Sequence, residues 1–186
     1  APPGRHAVRL SCDGKSVTRE LLVVRDPRLP SSVTDADLVR QFEVARDVQA
    51  ERVRVASALR QAESLRKEIA ERRDGAKGAA ASAVDALAKA IDRVAGKSAS
   101  GAGEEFFGAA EAPATTLRQL ASSLSGLQSV IESADGVPTA DAITGFAERR
   151  RLVAEGLEHW KDLLATELSD ANRALEGAGS TSLKAE

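Results

Sequence analysis

The sequence predicts a mainly α-helical fold: an up-down four-helix bundle with two long helices, the first and the fourth, and two short ones, preceded by an N-terminal β-hairpin. Three observations predict it. Between Thr139 and Glu176, the residues Ile143, Phe146, Val153, Leu157, Trp160, Leu164, Leu168, Ala171 and Leu175 recur at steps of three and four, interrupted only by Arg150. That is the seam of a helix built to lie against other helices, and at 1.5 Å per residue it runs roughly 55 Å. A second stripe has the same spacing: Leu38, Phe42, Ala45, Val48, Val55, Leu59, Ala62, Leu65 and Ile69, with Arg52 in register. Aromatic residues make up only 3% of the chain and alanine is abundant, which favours close-packed helices over a sheet-rich core.

The hairpin comes first, within residues 1–25. Ala7 to Ser11 alternates, Asp13-Gly14 is a turn signal, and Val17 to Val24 reads as a second strand. A lone hairpin is marginal in water. It is therefore expected to be the end of a truncated sandwich-like domain, or to pack on the helices. Residues 26–33 read as a linker, because Pro27 and Pro30 stiffen the chain and forbid helix continuation.

The helical region spans 34–176. Thr34 caps the first helix, with Asp35 and Asp37 in the turn where the helix dipole favours acids. Arg66, Lys67, Arg72 and Arg73 close it with the charge its C-terminus prefers, and Asp74-Gly75 breaks it. The second helix turns Val84, Leu87, Ile91 and Val94 inward and stops at Gly96. Residues 96–113 form a long glycine-rich connection, of the length that is either functional or disordered. Pro113 opens the third helix, whose Leu117, Leu120, Leu124, Leu127 and Ile131 repeat as heptad positions. Asp135 to Pro138 is a tight turn, and Thr139 caps the fourth helix. The small, polar tail 177–186 is expected to be flexible.

Short connections near Gly75 and Gly136 make successive helices antiparallel. Pairing Arg73 with Thr139 then sets Trp160 beside Arg52 and leaves a two-helix stalk of the first and fourth helices. Leu38, Phe42, Val48, Leu164, Leu168 and Leu175 on that stalk need a cover. Phe106 or Phe107 is expected to fold back near Trp160 to supply part of it. The candidate interaction surface is thus Phe42, Arg52, Phe106, Phe107, Trp160, Leu164 and Leu168, with Arg52 and Trp160 placed for a cation–π contact.

Composition limits the function classes. The 186 residues suit one domain, or one plus part of another. A net charge of −2 argues against a general nucleic-acid or acidic-membrane role. Cys12 is the single cysteine, so no intrachain disulfide forms. No apolar run approaches the ~20 residues that span a bilayer. Ala1 to Gly4 lacks the pattern of a signal peptide, and the chain reads as starting within a longer protein.

Each candidate for chemistry has a simpler reading. Ala95-Gly96-Lys97-Ser98 resembles the tail of a phosphate-binding loop, but Ile91 stands where that loop needs its first glycine, and a helix precedes it instead of a strand. It reads as a helix C-cap. His6 and His159 are the only histidines and lie at opposite ends of the sequence, far from a metal-ligand spacing. Glu104-Glu105 are adjacent loop acids without the cleft that a glycosidase carboxylate pair requires. Arg149-Arg150-Arg151 and Arg72-Arg73 are expected at one end of the bundle as a solvated basic face. No catalytic residue, cofactor or metal is expected.

The run Pro3 to Leu10, then Asp13-Gly14-Lys15, Val23-Val24-Arg25-Asp26-Pro27-Arg28, and Ala36-Asp37-Leu38 through Gln41-Phe42 resembles the segment that follows the propeller in large bacterial BNR-repeat proteins. These are similar to sortilin-type β-propellers and are often labelled glycosyl hydrolases. Pro138-Thr139 and the stretch from His159-Trp160 to Leu164 resemble a later phrase of the same family. The resemblance implies an exported, multidomain parent whose working surface lies on the propeller. This chain would be its non-catalytic C-terminal accessory module, packed against upstream propeller or sandwich domains. Two alternatives accompany that expectation: a self-associating helical module that forms a homodimer, or the scaffold part of a glycosidase-like enzyme whose active site lies elsewhere.

Overall fold

The computed structural model describes residues 1–98 and 115–185. It has the expected composition: an antiparallel two-stranded hairpin followed by packed helices, two of them long. The elements are β1 (Gly4–Cys12), β2 (Lys15–Val23), α1 (Asp35–Arg73), α2 (Ala79–Ala95), α3 (Leu117–Glu132), α4 (Ala140–Ala165) and α5 (Glu167–Gly177). The chain divides into two compact units. The first holds Ala1–Ala50 and Gly126–Phe146, the second Glu51–Ser125 and Ala147–Glu186.

In the first unit, β1 and β2 pair from Gly4 with Val23 to Cys12 with Lys15, longer than the sequence pattern suggests. Asp13 and Gly14 both take positive φ, 48° and 73°. Two central residues in that region match the twist of the strands and close the hairpin in two residues. Beyond Pro27, the linker folds on itself through Leu29 N–H to Asp26 O and Val33 N–H to Pro30 O. Thr34 caps α1 as expected, and reciprocally: Asp37 N–H donates to Thr34 Oγ1 at 3.2 Å, and Thr34 N–H to Asp37 Oδ2 at 2.8 Å. The Thr34 backbone N–H, and after it the Thr34 hydroxyl, hold the Asp37 carboxyl below its ordinary range. Thr139 caps α4 the same way, its Oγ1 accepting from Ala142 N–H at 3.2 Å.

Val44, Ala45 and Val48 of α1, Leu127 and Ile131 of α3, and Ala142 and Phe146 of α4 are the buried apolar residues of this unit. The Gln41 side chain ties them to the turn before α4. Its Nε2 donates to Ile131 O and Ala134 O, both at 2.6 Å, and its Oε1 accepts from Gly136 N–H at 3.4 Å. Here α1 meets the end of α3 directly, so the expected two-helix stalk is replaced by a clasp involving a third helix.

In the second unit the core includes Val55, Ala62, Leu65, Val84, Leu87, Ile91, Ala95, Leu117, Leu120, Leu124, Val153, Ala171 and Leu175, each at most 1% exposed, with Trp160 nearly so. α1 and α2 run antiparallel: Arg66 reaches Asp92 Oδ1 and Gly96 O, and Arg73 reaches Asp85. α2 also packs along α5. The pairings of α1 with α4 and the tail rise together, Glu51 with Arg150, Gln61 with Trp160 and Arg72 with Ser182, so these segments run parallel. This corrects the expected Arg73–Thr139 register and separates Trp160 from the place beside Arg52. The cause is that α2 and α3 both lie antiparallel to α1, held by Arg66 with Asp92 and Arg118 with Glu63, where a reversal between them was expected. Gly96 caps α2 with φ 86° and sits against Thr116 and Arg118, so the end of α2 abuts the beginning of α3.

The fourth helix is long, as expected, over 140–177, and the tail brings a further correction. The expected single helix is α4 and α5 joined at Thr166, where the ladder continues through Thr166 N–H to Asp162 O and Asp170 N–H to Thr166 O, both at 2.9 Å. Thr166 Oγ1 also donates to Asp162 O, a back-bond that disturbs helix geometry locally. The tail, expected to be flexible, is packed as far as it is described. Gly179 turns it with φ 73°, and Ser180 N–H returns to Leu175 O at 2.9 Å. Leu183 is 2% exposed, and Asn172 receives its N–H at 2.7 Å while donating to its carbonyl at 3.0 Å.

Candidate functional site

The surface least explained by folding alone is the hairpin. The register puts His6, Val8, Leu10 and Cys12 on one face with Lys15, Val17, Arg19, Leu21 and Val23. Val8 is 51% exposed, Leu10 72%, Val17 53% and Leu21 50%. Ordinary strands of a finished sheet cover such a face. The opposite face carries Ala7 and the exposed Leu22 but is mostly polar and knitted across the strands: Arg5 pairs with Glu20, Arg9 donates to Ser16 Oγ at 3.2 Å, and the Ser11 and Ser16 hydroxyls bond at 2.8 Å. Among the described residues the sheet holds these two strands, and each has an edge without a strand partner.

At the base of the hairpin lies an open cleft of about 320 Å³, with apolar walls from Pro2, Val23, Leu29, Leu38 and Phe42 and carboxylates from Asp26, Glu132 and Asp135. Its lower wall is shaped by the linker. Arg28 donates to both Asp26 oxygens, at 2.6 Å to Oδ2, and its own N–H reaches Oδ1 at 2.9 Å. These bonds, the side-chain one foremost, hold the Asp26 carboxyl below its ordinary range. His6 Nε2 donates to Pro2 O at 2.8 Å and ties the leading residues to β1. Phe42, 40% exposed, is the one member of the expected interaction surface in this cleft.

The remaining members fall elsewhere. Trp160 is 3% and Leu168 9% exposed, both inside the second unit, and the Trp160 ring N–H donates to Gln61 Oε1 at 3.1 Å. Arg52 and Leu164 are half-buried. Phe106 and Phe107, like Glu104, Glu105 and Pro113, lie outside the described residues. Leu163, at 3% exposure, takes the inward position beside the stripe's Leu164.

The chemical candidates stay apart. His159 is exposed on α4, whereas His6 belongs to the hairpin. Among the described residues no three His, Cys, Asp or Glu side chains gather in a way that could hold a metal. Gly96 serves as the C-cap of α2, its N–H donating to Asp92 O and its carbonyl accepting from Arg66. The two arginine groups do not share an end. Arg150 pairs with Glu51, and Arg72 lies 21 positions further along α1, roughly 32 Å by helical rise. Among the described residues no helix is long and apolar enough to cross a membrane.

Sequence reasoning missed three polar residues that organise the packing: Gln41, Gln61 and Glu51. Glu51 is 5% exposed and contacts Arg54 at 2.7 Å and Arg150 at 3.4 Å. The only trace in the sequence is the break that Arg150 makes in an otherwise apolar stripe. No family model, curated protein or solved structure matches this chain.

Proposed function

We propose that this chain is a non-catalytic accessory module of a larger, exported BNR-repeat propeller protein, acting through packing and protein–protein contact. The observation that carries this reading is a contrast in coverage. The helical stripes meet their partners within the chain, down to Val153 at 0% exposure, while Val8, Leu10, Val17 and Leu21 stand open on the hairpin. A two-stranded sheet needs more strands or a packed layer for independent stability, which fits a hairpin that completes a neighbouring domain. The resemblance of Pro3 to Phe42 to the post-propeller segment supports the identity of that neighbour as a sandwich or propeller domain of the same polypeptide.

The coding sequence before Ala1 tests the reading. Repeated blade units behind a signal peptide are the expected result; a start codon close to Ala1 overturns it. On the same reading, replacing Glu104, Glu105 and His159 together leaves any parent activity unchanged, and a loss would move catalysis into this chain.

The open strand edges favour a second reading, in which two copies pair through their hairpins. Light scattering separates the two. A strict monomer at tens of micromolar excludes strong self-association.

A further inference from the structure

We propose that the outer edge of β1 receives an extended segment of a protein partner in which apolar and acidic residues alternate. The inference rests on the hairpin being the working surface and adds the chemistry of what it takes.

Three observations point to that occupant. The first is alternation of chemistry along β1. Val8 and Leu10 lie on one face and Arg5 and Arg9 on the other, and the strand contains two arginines and no acid. A strand added alongside would set every second side chain against Val8 and Leu10 and the intervening ones against the guanidiniums. β2 offers a poorer match, because Glu20 stands on its polar face. The second is the outer edge of β1, to which no further strand pairs among the described residues, and which presents a row of backbone donors and acceptors. An extended peptide satisfies those groups, whereas a lipid interface would leave them unpaired at a cost. The third is area. Four side chains at least half exposed amount to a few hundred Å², the size of an ordinary functional patch and well below the ~800 Å² per partner of a standard dimer interface. A single strand or a covalently linked neighbour fits that area better than a second free copy. Arg9, whose partner is the neutral Ser16 hydroxyl, and Arg5, which shares its charge with Glu20, leave this face with net positive charge in a chain whose net charge is −2, and they select for acids on the incoming strand.

Cys12 permits a direct test, since it is the only cysteine, is exposed, and ends β1 on the apolar face. The full chain is labelled there with a polarity-sensitive thiol dye and titrated with a synthetic peptide of alternating valine and glutamate. A valine–lysine peptide and vesicles of phosphatidylcholine with phosphatidylserine are titrated in parallel. The expected result is a saturable blue shift with the glutamate peptide at least tenfold tighter than with the lysine peptide. The preference should shrink as salt screens the pairs and invert in the double variant Arg5→Glu/Arg9→Glu. The variant removes the Arg5–Glu20 pair and the Arg9–Ser16 bond, so circular dichroism must show the hairpin retained before it is titrated, and the single variant Arg9→Glu, which leaves the Arg5–Glu20 pair intact, should weaken the preference in the same direction. Equal binding of the two peptides, no saturable shift with the glutamate peptide, or a shift with vesicles alone each overturns the proposal. None of these outcomes bears on the coding sequence before Ala1, so the accessory-module reading stands or falls separately.

Discussion

Gly156 lets α4 lie close against Leu117 and Leu120 of α3, and replacing it measures how tightly the second unit is packed. A Cβ built there lies 3.1 Å from Leu117 Cδ2 and 3.4 Å from Leu120 Cδ1. Both leucines are at most 1% exposed, so neither has open space to move into. Two effects oppose each other in Gly156→Ala. Alanine is favoured over glycine in a helix interior by about 1 kcal/mol. Overpacking a filled core costs about 1–3 kcal/mol. Since the neighbour must yield inside a full core, the steric term should equal or exceed the propensity gain, for a net loss of about 0–2 kcal/mol. The cycle with Leu117→Ala isolates the contact. Leu117→Ala alone should cost about 2–5 kcal/mol. In its presence the added methyl fills part of the cavity and keeps the propensity gain, so Gly156→Ala becomes stabilising. The coupling should fall between about 1 and 3 kcal/mol, the range of touching residues. Urea denaturation followed by the fluorescence of Trp160, the only tryptophan and one helical turn from Gly156, reads all four proteins, with the slope checked for constancy. Additivity within about 0.5 kcal/mol, or a full 1 kcal/mol of stabilisation by Gly156→Ala alone, would refute the close-packed contact.

Other sites give sharper, smaller tests. Gln41→Ala removes three bonds to the turn before α4 and should cost about 1–3 kcal/mol, with amide exchange accelerated at Gly136; an unchanged exchange rate there would rule out the clasp. Glu51→Gln should destabilise by about 1–3 kcal/mol, less than a fully buried pair because Arg54 and Arg150 remain half-exposed and can turn to water. By contrast Glu158→Gln, whose partner Lys161 is exposed, should change stability by less than about 0.5 kcal/mol, so equal effects would contradict the burial argument. Thr34→Ala should cost about 1 kcal/mol through loss of the cap. The Asp37 carboxyl has its pKa lowered in the folded chain, so its stabilisation is present above the unfolded value of about 3.9 and is lost as pH falls through the folded value. The stability gap between the native chain and Asp37→Asn should therefore narrow from pH 6 to pH 2.5, and a constant gap would show that the bond does not depend on ionisation.

Much of this architecture can be read without coordinates, and the reasons are local. Steps of three and four mark the buried side of each helix, and every one of Leu117, Leu120, Leu124, Leu127 and Ile131 is buried. Thr34 and Thr139 cap because a threonine hydroxyl reaches a backbone N–H three residues on. Asp13-Gly14 turns because both residues tolerate positive φ. The hairpin's uncovered face is also legible, as alternation in a strand pair too small to fold by itself.

What required the tertiary structure is everything that depends on which face meets which. An apolar stripe encodes burial, not the identity of its cover, because hydrophobic attraction has no direction. Leu175 and Leu168 were therefore assigned to an exposed stalk, whereas α5 packs along α2. The relative direction of two helices is likewise set by their packing: Arg66 with Asp92 and Arg118 with Glu63 lay both α2 and α3 antiparallel to α1. The tail looked too polar to order, yet Leu183 alone finds a buried site and Asn172 satisfies its backbone. Directional bonds such as those of Gln41, Gln61 and Glu51 leave no periodic mark in a sequence. They exist only once distant segments have been brought within hydrogen-bonding reach, and that placement belongs to the fold.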